Sequence, residues 1–245
     1  MEKRTEYLFY IGIGQKELIK TVLAFPSGQM VVYSYFLPEA LVLNSQGRLP
    51  WRRKRKSKHQ TKKIFILLKE AVESVREELA EGRITYVYMT EAVSQRLKGE
   101  QGLWRGSDEE ALLDRLYEVC LYQKRQICKE TALSLSLEAE CGELAVMRLL
   151  AIIRPYLSRI NHVVFVGEED TGTQMLEDYL YDEYGIVMTY DRFPARNTIW
   201  IDLRDRENQK LSKYAKERGI CHINRAEVLK FLDTAAKNGY NTKVN

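Results

Sequence analysis

The chain has 245 residues, 45% of them hydrophobic and 29% charged, which is enough apolar material for a core and excludes general disorder. Its net charge of +4 is local, because Arg48 to Lys63 holds nine Lys or Arg and no Asp or Glu, leaving 29 basic against 34 acidic residues elsewhere. No apolar run approaches the roughly 20 residues of a membrane span. The apolar stretch Tyr7 to Ile13 is too short for a signal-peptide core, so a cytoplasmic protein is expected.

In chain order, Tyr7 to Ile13 reads as a strand. Glu17 to Phe25 and Gln29 to Leu37 read as a hairpin around Pro26-Ser27-Gly28, with a helix over residues 16–24 as the alternative. The long stretch from Leu37 to Lys63 reads as irregular. Its basic part, 48–63, is expected to be an exposed loop because adjacent cations repel. Such a loop offers contacts to a nucleic-acid backbone or an acidic protein surface. Trp51 would stack on a base, and Arg52, Arg53, Lys54, Arg55 and Lys56 would meet phosphates.

Ile64 to Glu81 carries apolar residues at helical spacing (Ile64, Leu67, Leu68, Ala71, Val72, Val75, Leu79) and ends at Gly82. A strand over Ile84 to Met89 and a short helix over Glu91 to Leu97 follow. The glycine-rich 98–106 separates an N-terminal α+β region, 1–106, from a second domain, 107–245. That domain opens with a helix whose Ser107 and Glu110 form a capping-box pattern. Leu133-Ser-Leu-Ser-Leu137 alternates as a strand does, Glu143 to Leu157 is an apolar helix, and His162 to Gly167 is a second strand. Strand, helix, strand with short links predicts a parallel βαβ unit. A helix to Tyr184, strands over 185–191 and 197–203, a helix over 210–218, a short strand over 220–224 and a last helix over 225–237 complete an α/β alternation. The link from Asp191 to Asn197 is too short for a crossover helix. Either one flanking strand is antiparallel or the chain crosses in extended form. The fold class expected is α/β, a C-terminal three-layer domain with a mostly parallel sheet plus a smaller N-terminal α+β region.

Cys120, Cys128, Cys141 and Cys221 form no CxxC pair, and His59, His162 and His222 no HxxxH spacing, so disulfides and a zinc site have little support. Neither a GxSxG elbow nor a P-loop is present.

Over roughly Leu133 to Lys237 the layout resembles a Rossmann-like nucleotide-binding domain. Gly167 ends a strand, Gly172 stands in the expected turn, and Asp191 ends the next strand, 24 residues after Gly167. The resemblance implies ligand contacts from Gly167, Thr171, Gly172, Thr173 and Asp191, with the threonine hydroxyls as helix N-caps. Where the fingerprint needs glycines, however, this chain has Glu168, Glu169 and Asp170. At about 5 Å and an effective dielectric near 20, each like-charge contact with a phosphate costs on the order of 3 kcal/mol. A helix terminus returns only about 0.3–1 kcal/mol. Carboxylates at strand ends suit a cation instead, and Glu138, Glu168, Asp170, Asp191 and Asp202 are the candidate ligands for Mg²⁺. Three functions are open: binding of a small nucleotide-like ligand or a partner without catalysis, Mg²⁺-dependent nuclease or phosphotransfer chemistry, and nucleic-acid binding through the basic stretch.

Overall fold

The computed structural model describes residues 4–15, 18–43, 54–79, 84–97, 109–127, 132–138, 142–196, 198–205 and 208–238, of which 54–59, 77–78 and 125–127 by backbone alone. It divides into two compact units, Met1–Glu109 with Asp233–Asn245, and Glu110–Leu232. No helix among the described residues is long and apolar enough to cross a membrane.

In the first unit, β1 (Arg4–Ile13), β2 (Leu18–Phe25), β3 (Gly28–Leu37) and β4 (Tyr86–Met89) form a mixed sheet in the order β2-β3-β1-β4. β2 is the strand of the expected hairpin, antiparallel to β3, and the helix alternative does not hold. The β-branched Ile19, Thr21 and Val22 lose side-chain freedom in a helix and pack well on a sheet. β1 runs parallel to both β3 and β4. At the start of the β1–β3 pair a Cβ on Gly28 would lie 1.9 Å from the carbonyl oxygen of Arg4, so no larger residue fits this register.

One face of the sheet packs Phe9, Ile11 and Tyr33 against Ile64, Leu68 and Val75 of α2 (Lys54–Glu78). Each such buried aliphatic side chain contributes about 1.5–3 kcal/mol. Here the sequence expectation is corrected, because α2 begins ten residues before Ile64. Lys54, Arg55 and Lys56 are its first turn, and the basic stretch is helix from Lys54 onward rather than loop. Lys and Arg have good helix propensity, and the buried Thr61 extends the apolar stripe backwards. Trp51, Arg52 and Arg53 lie outside the described residues, as do Gly82 and Ser107. The short helices α1 (Glu39–Val42) and α3 (Glu91–Arg96) complete this part of the unit.

The second unit opens with α4 (Glu109–Ile127), whose first residue groups with the first unit. Its sheet is all parallel and flanked by helices: β5 (Ala132–Ser136), β6 (His162–Val166), β7 (Val187–Asp191), β8 (Ile199–Asp202) and β9 (Cys221–Ile223), in the order β7-β6-β5-β8-β9. The connecting helices are α5 (Glu143–Ile153), α6 (Thr171–Tyr184), α7 (Gln209–Glu217) and α8 (Arg225–Asn238), the last of which groups with the first unit from Asp233 onward. α5 is shorter than its apolar pattern. Pro155 lacks the N–H that would bond back to residue 151, and the chain continues as a 3₁₀ turn, Arg154–Arg159. α6 ends where Gly185 takes a φ of 65°.

The order shows that the sheet grows outward from β5, first through β6 and β7, then through β8 and β9. The short link of the sequence is therefore an extended crossover, since β8 is parallel to β5. Returning along one strand and across three strand spacings covers about 20 Å, within the reach of the eight steps from Asp191 to Ile199 at about 3.3 Å each. A small buried residue makes room for the crossing. The Ala195 N–H donates to Ser134 Oγ at 3.0 Å, and the Thr198 hydroxyl donates to the Ala195 carbonyl at 2.7 Å.

Candidate functional site

In open parallel sheets, ligands bind outside the carboxyl ends of the strands where the strand order reverses. Here that point is between β5 and β8. A cleft of about 250 Å³ lies on that edge, at the carboxyl ends of β8 and β9, lined by Asp202, Arg204, Asp205, Asn224, Arg225, Ala226 and Leu229.

The cleft wall is built on a buried polar cluster. Trp200, fully buried on β8, donates its indole N–H to Ser136 Oγ at 2.8 Å. It stacks on His222 of β9, ring centroids 3.9 Å apart and 8° from parallel. β8 and β9 pair Trp200 directly with His222, which is why the rings meet. Two residues on, where β8 ends, Asp202 is 1% exposed. Arg204 grips it with Nε donating to Oδ1 and Nη2 to Oδ2, both at 2.7 Å. His222 Nε2 lies 3.4 Å from Oδ2, and the Tyr117 hydroxyl donates to the Asp202 backbone carbonyl at 2.9 Å. Burial works against the charge on Asp202, but the hydrogen bonds of Arg204 and His222 outweigh it and hold the carboxyl below its usual range. Burial also pushes the Tyr117 hydroxyl up, well above its ordinary range. On the rim, the Asp205 N–H donates to Glu138 Oε1 at 2.9 Å, tying the ends of β5 and β8 together.

The nucleotide contacts implied by resemblance lie on the other arm of the sheet, at β6 and β7. Gly167 follows β6, and its N–H donates to the Asp191 carbonyl at 3.0 Å, so these two do come together. Gly172 is not in the turn but buried inside the first turn of α6. The N-cap is Asp170 rather than a threonine. Asp170 Oδ1 accepts the Thr173 N–H at 2.8 Å, and the Thr173 hydroxyl accepts the Asp170 N–H at 2.8 Å. Thr173 is thereby occupied and buried, and Thr171 is exposed. Because β5 is the first strand of this sheet, the turn equivalent to a glycine-rich phosphate loop follows β5, not β6.

The five carboxylates read as Mg²⁺ ligands each have a local partner or face solvent. Glu138 accepts from Asp205, Asp170 caps α6, Asp191 Oδ1 accepts the Phe193 N–H at 3.1 Å, Asp202 holds Arg204, and Glu168 is exposed. Among the described residues no three His, Cys, Asp or Glu side chains come together as a metal-ligating group. Cys120 is a buried thiol.

Arg204 stands at the carboxyl edge where the sequence places it, whereas Trp200, His222, Asn224 and Arg225 are not among the residues that the sequence points to. The one sequence signal was the Asp202-x-Arg204 spacing just past a strand. The stacking partner of Trp200 depends on strand order, which no local pattern encodes. Comparison with protein-family models, with curated proteins and with solved structures found no match.

Proposed function

We propose that the second unit binds a small nucleotide-like ligand at the carboxyl edge of its parallel sheet. The observation that supports this is a cleft at the carboxyl ends of β8 and β9, on the β8 side of the point where strand order reverses. The polar end of the cleft offers charged groups of both signs, and Ala226 and Leu229 supply an apolar wall. Hydrogen exchange with and without millimolar AMP tests the reading. Protection is expected over 203–205 and 224–229. Protection confined to other segments, or none at all, would remove the basis for it.

A second reading, nucleic-acid binding, is supported by one specific feature. α2 starts on Lys54, Arg55 and Lys56 with no acidic residue in its first turn. Cations there oppose the helix dipole by about 0.3–1 kcal/mol each, and a phosphate backbone would reverse the sign. Changing Lys54, Arg55 and Lys56 to Glu is expected to weaken binding to a labelled duplex at least tenfold at 0.15 M salt, measured by anisotropy. The same changes suit the helix dipole, so thermal stability should hold. Unchanged duplex binding would end this reading.

A further inference from the structure

We infer that the cleft is a phosphate subsite, in which Arg204, Asn224 and Arg225 hold the phosphomonoester of a hydroxylated molecule of sugar-phosphate size. The inference rests on the carboxyl-edge reading above and goes further by naming the group bound and its donors.

The first observation is Arg204. Its side chain is 15% exposed, and Nε and Nη2 are committed to Asp202. Its Nη1 makes no hydrogen bond among the described residues, and the side chain lines the cleft. Among the described residues the guanidinium is therefore fixed along one edge and keeps donors on the other. Its plane is held from behind. Asp202 is braced by His222, and the guanidinium carbon lies 5.5 Å over the Trp200 ring. Buried ion pairs add little stability over apolar packing, so a preorganised binding group is the better account of this one.

The second observation is independent. Asn224 is 7% exposed and also lines the cleft. Its Oδ1 accepts the Glu227 N–H at 2.9 Å, which fixes the orientation of the amide. Nδ2 is then the other end, and it makes no hydrogen bond among the described residues. The amide is therefore held in one orientation at the cleft wall, beside the Arg204 guanidinium. Arg225, the first residue of α8, adds a second guanidinium to the same wall.

Arg204 follows β8, Asn224 follows β9 and Arg225 begins α8, so three elements bring cationic or amide side chains to one cleft, which suits a phosphate with its several acceptor oxygens. The rest of the lining selects what carries the phosphate. Asp205 on the rim repels a second anion and accepts from hydroxyls, so the organic part is hydroxylated rather than acidic. A cleft of 250 Å³ holds about eight waters' worth of ligand, too little to enclose a dinucleotide. The phosphoribosyl part of a nucleotide fits inside, with the base extending out.

Calorimetric titration of ribose 5-phosphate, inorganic phosphate and ribose tests the inference on the full chain and three variants. Wild type is expected to bind ribose 5-phosphate at least tenfold more tightly than ribose. Arg225→Gln should weaken ribose 5-phosphate about tenfold. Asn224→Asp keeps the helix cap but replaces the donor with a negative charge, so it should weaken binding more than tenfold with an unchanged melting temperature. Leu229→Trp fills the cleft and should abolish binding of all three compounds. If ribose binds as tightly as its phosphate, Asn224→Asp is neutral and Leu229→Trp blocks both, the cleft takes ligands but the phosphate subsite is wrong. If ribose 5-phosphate binds equally well to Leu229→Trp, it sits elsewhere and the carboxyl-edge reading is wrong too. If none of the three binds, the subsite is wrong, and the hydrogen-exchange result with AMP decides the broader reading alone.

Discussion

Replacing Asp202 with alanine is expected to lower the free energy of unfolding by about 3 kcal/mol at pH 7, read as a shift in the urea midpoint at constant slope. Removing one member of a buried pair strands the other, and the usual cost is about 3–5 kcal/mol. The lower end applies because Arg204, 15% exposed on the cleft, can turn toward water. Replacing both members with leucine should return most of the loss, since apolar packing substitutes for a buried ion pair without the desolvation cost. The acid limb gives a second check. The Asp202 carboxyl titrates below its ordinary 3.8 in the folded chain, because its bonds to Arg204 and His222 overcome the opposing effect of burial. A lowered carboxylate pKa adds stability that is fully present above the unfolded value and is lost as pH falls through the folded one. The wild-type and Asp202→Ala curves should therefore run apart above about pH 4 and converge below it. Parallel curves down to pH 2 would mean that Asp202 is not the charged partner of Arg204.

The contrast between Asp202 and Asp191 shows where sequence reading stopped. Both are aspartates that end a parallel strand, and nothing local separates them. Asp191 is exposed and turns its carboxylate onto a loop N–H, while Asp202 is buried beneath Arg204. What differs is position in the sheet. Asp191 ends an edge strand, and Asp202 ends the strand beside the centre. Strand and helix identities were legible because each rests on a short-range pattern. The alternation of Leu133 to Leu137 and the β-branched run of β2 are examples. Strand order is long-range, so the sequence leaves open the choice between an antiparallel strand and an extended crossover, which the parallel pairing of β8 with β5 decides. The turn after β6 departs from its pattern for a local reason. Asp170-Thr-Gly-Thr173 contains turn formers, yet Asp170 and Thr173 cap each other and draw Gly172 into the helix. In the basic stretch, helix propensity and the buried Thr61 outweigh the charge repulsion that predicts a loop.

Alkaline pH is expected to destabilise the chain from about pH 9 upward, with Cys120 responsible for a separable part of the loss. Cys120 lies on α4 and is 4% exposed. Burial, the largest influence, pushes its thiol from an ordinary 9.0 up to about 12, against a smaller opposing effect of Lys124. The direction follows from desolvation, since a thiolate in an apolar site loses its hydration. In the unfolded chain the thiol ionises near its ordinary value, while in the folded chain it stays protonated. Stability is then intact below pH 9 and falls as pH rises toward the folded value, because the unfolded state alone releases the proton. Each tenfold difference in ionisation is worth about 1.4 kcal/mol, so the loss reaches roughly 4 kcal/mol by pH 12. Tyr117, one turn away on the same helix, adds to the loss above pH 10, because burial raises its hydroxyl as well. Cys120→Ala removes the thiol and leaves Tyr117 in place. Its unfolding free energy should be lower than wild type at pH 7, from the lost packing, and should fall less steeply between pH 9 and pH 10, since the tyrosine contribution is common to both chains. Urea titrations at pH 7, 9, 10 and 11 separate the two effects. Equal slopes for wild type and variant between pH 9 and pH 10 would show that Cys120 ionises as readily folded as unfolded. In that case α4 does not shield it from water as its burial requires.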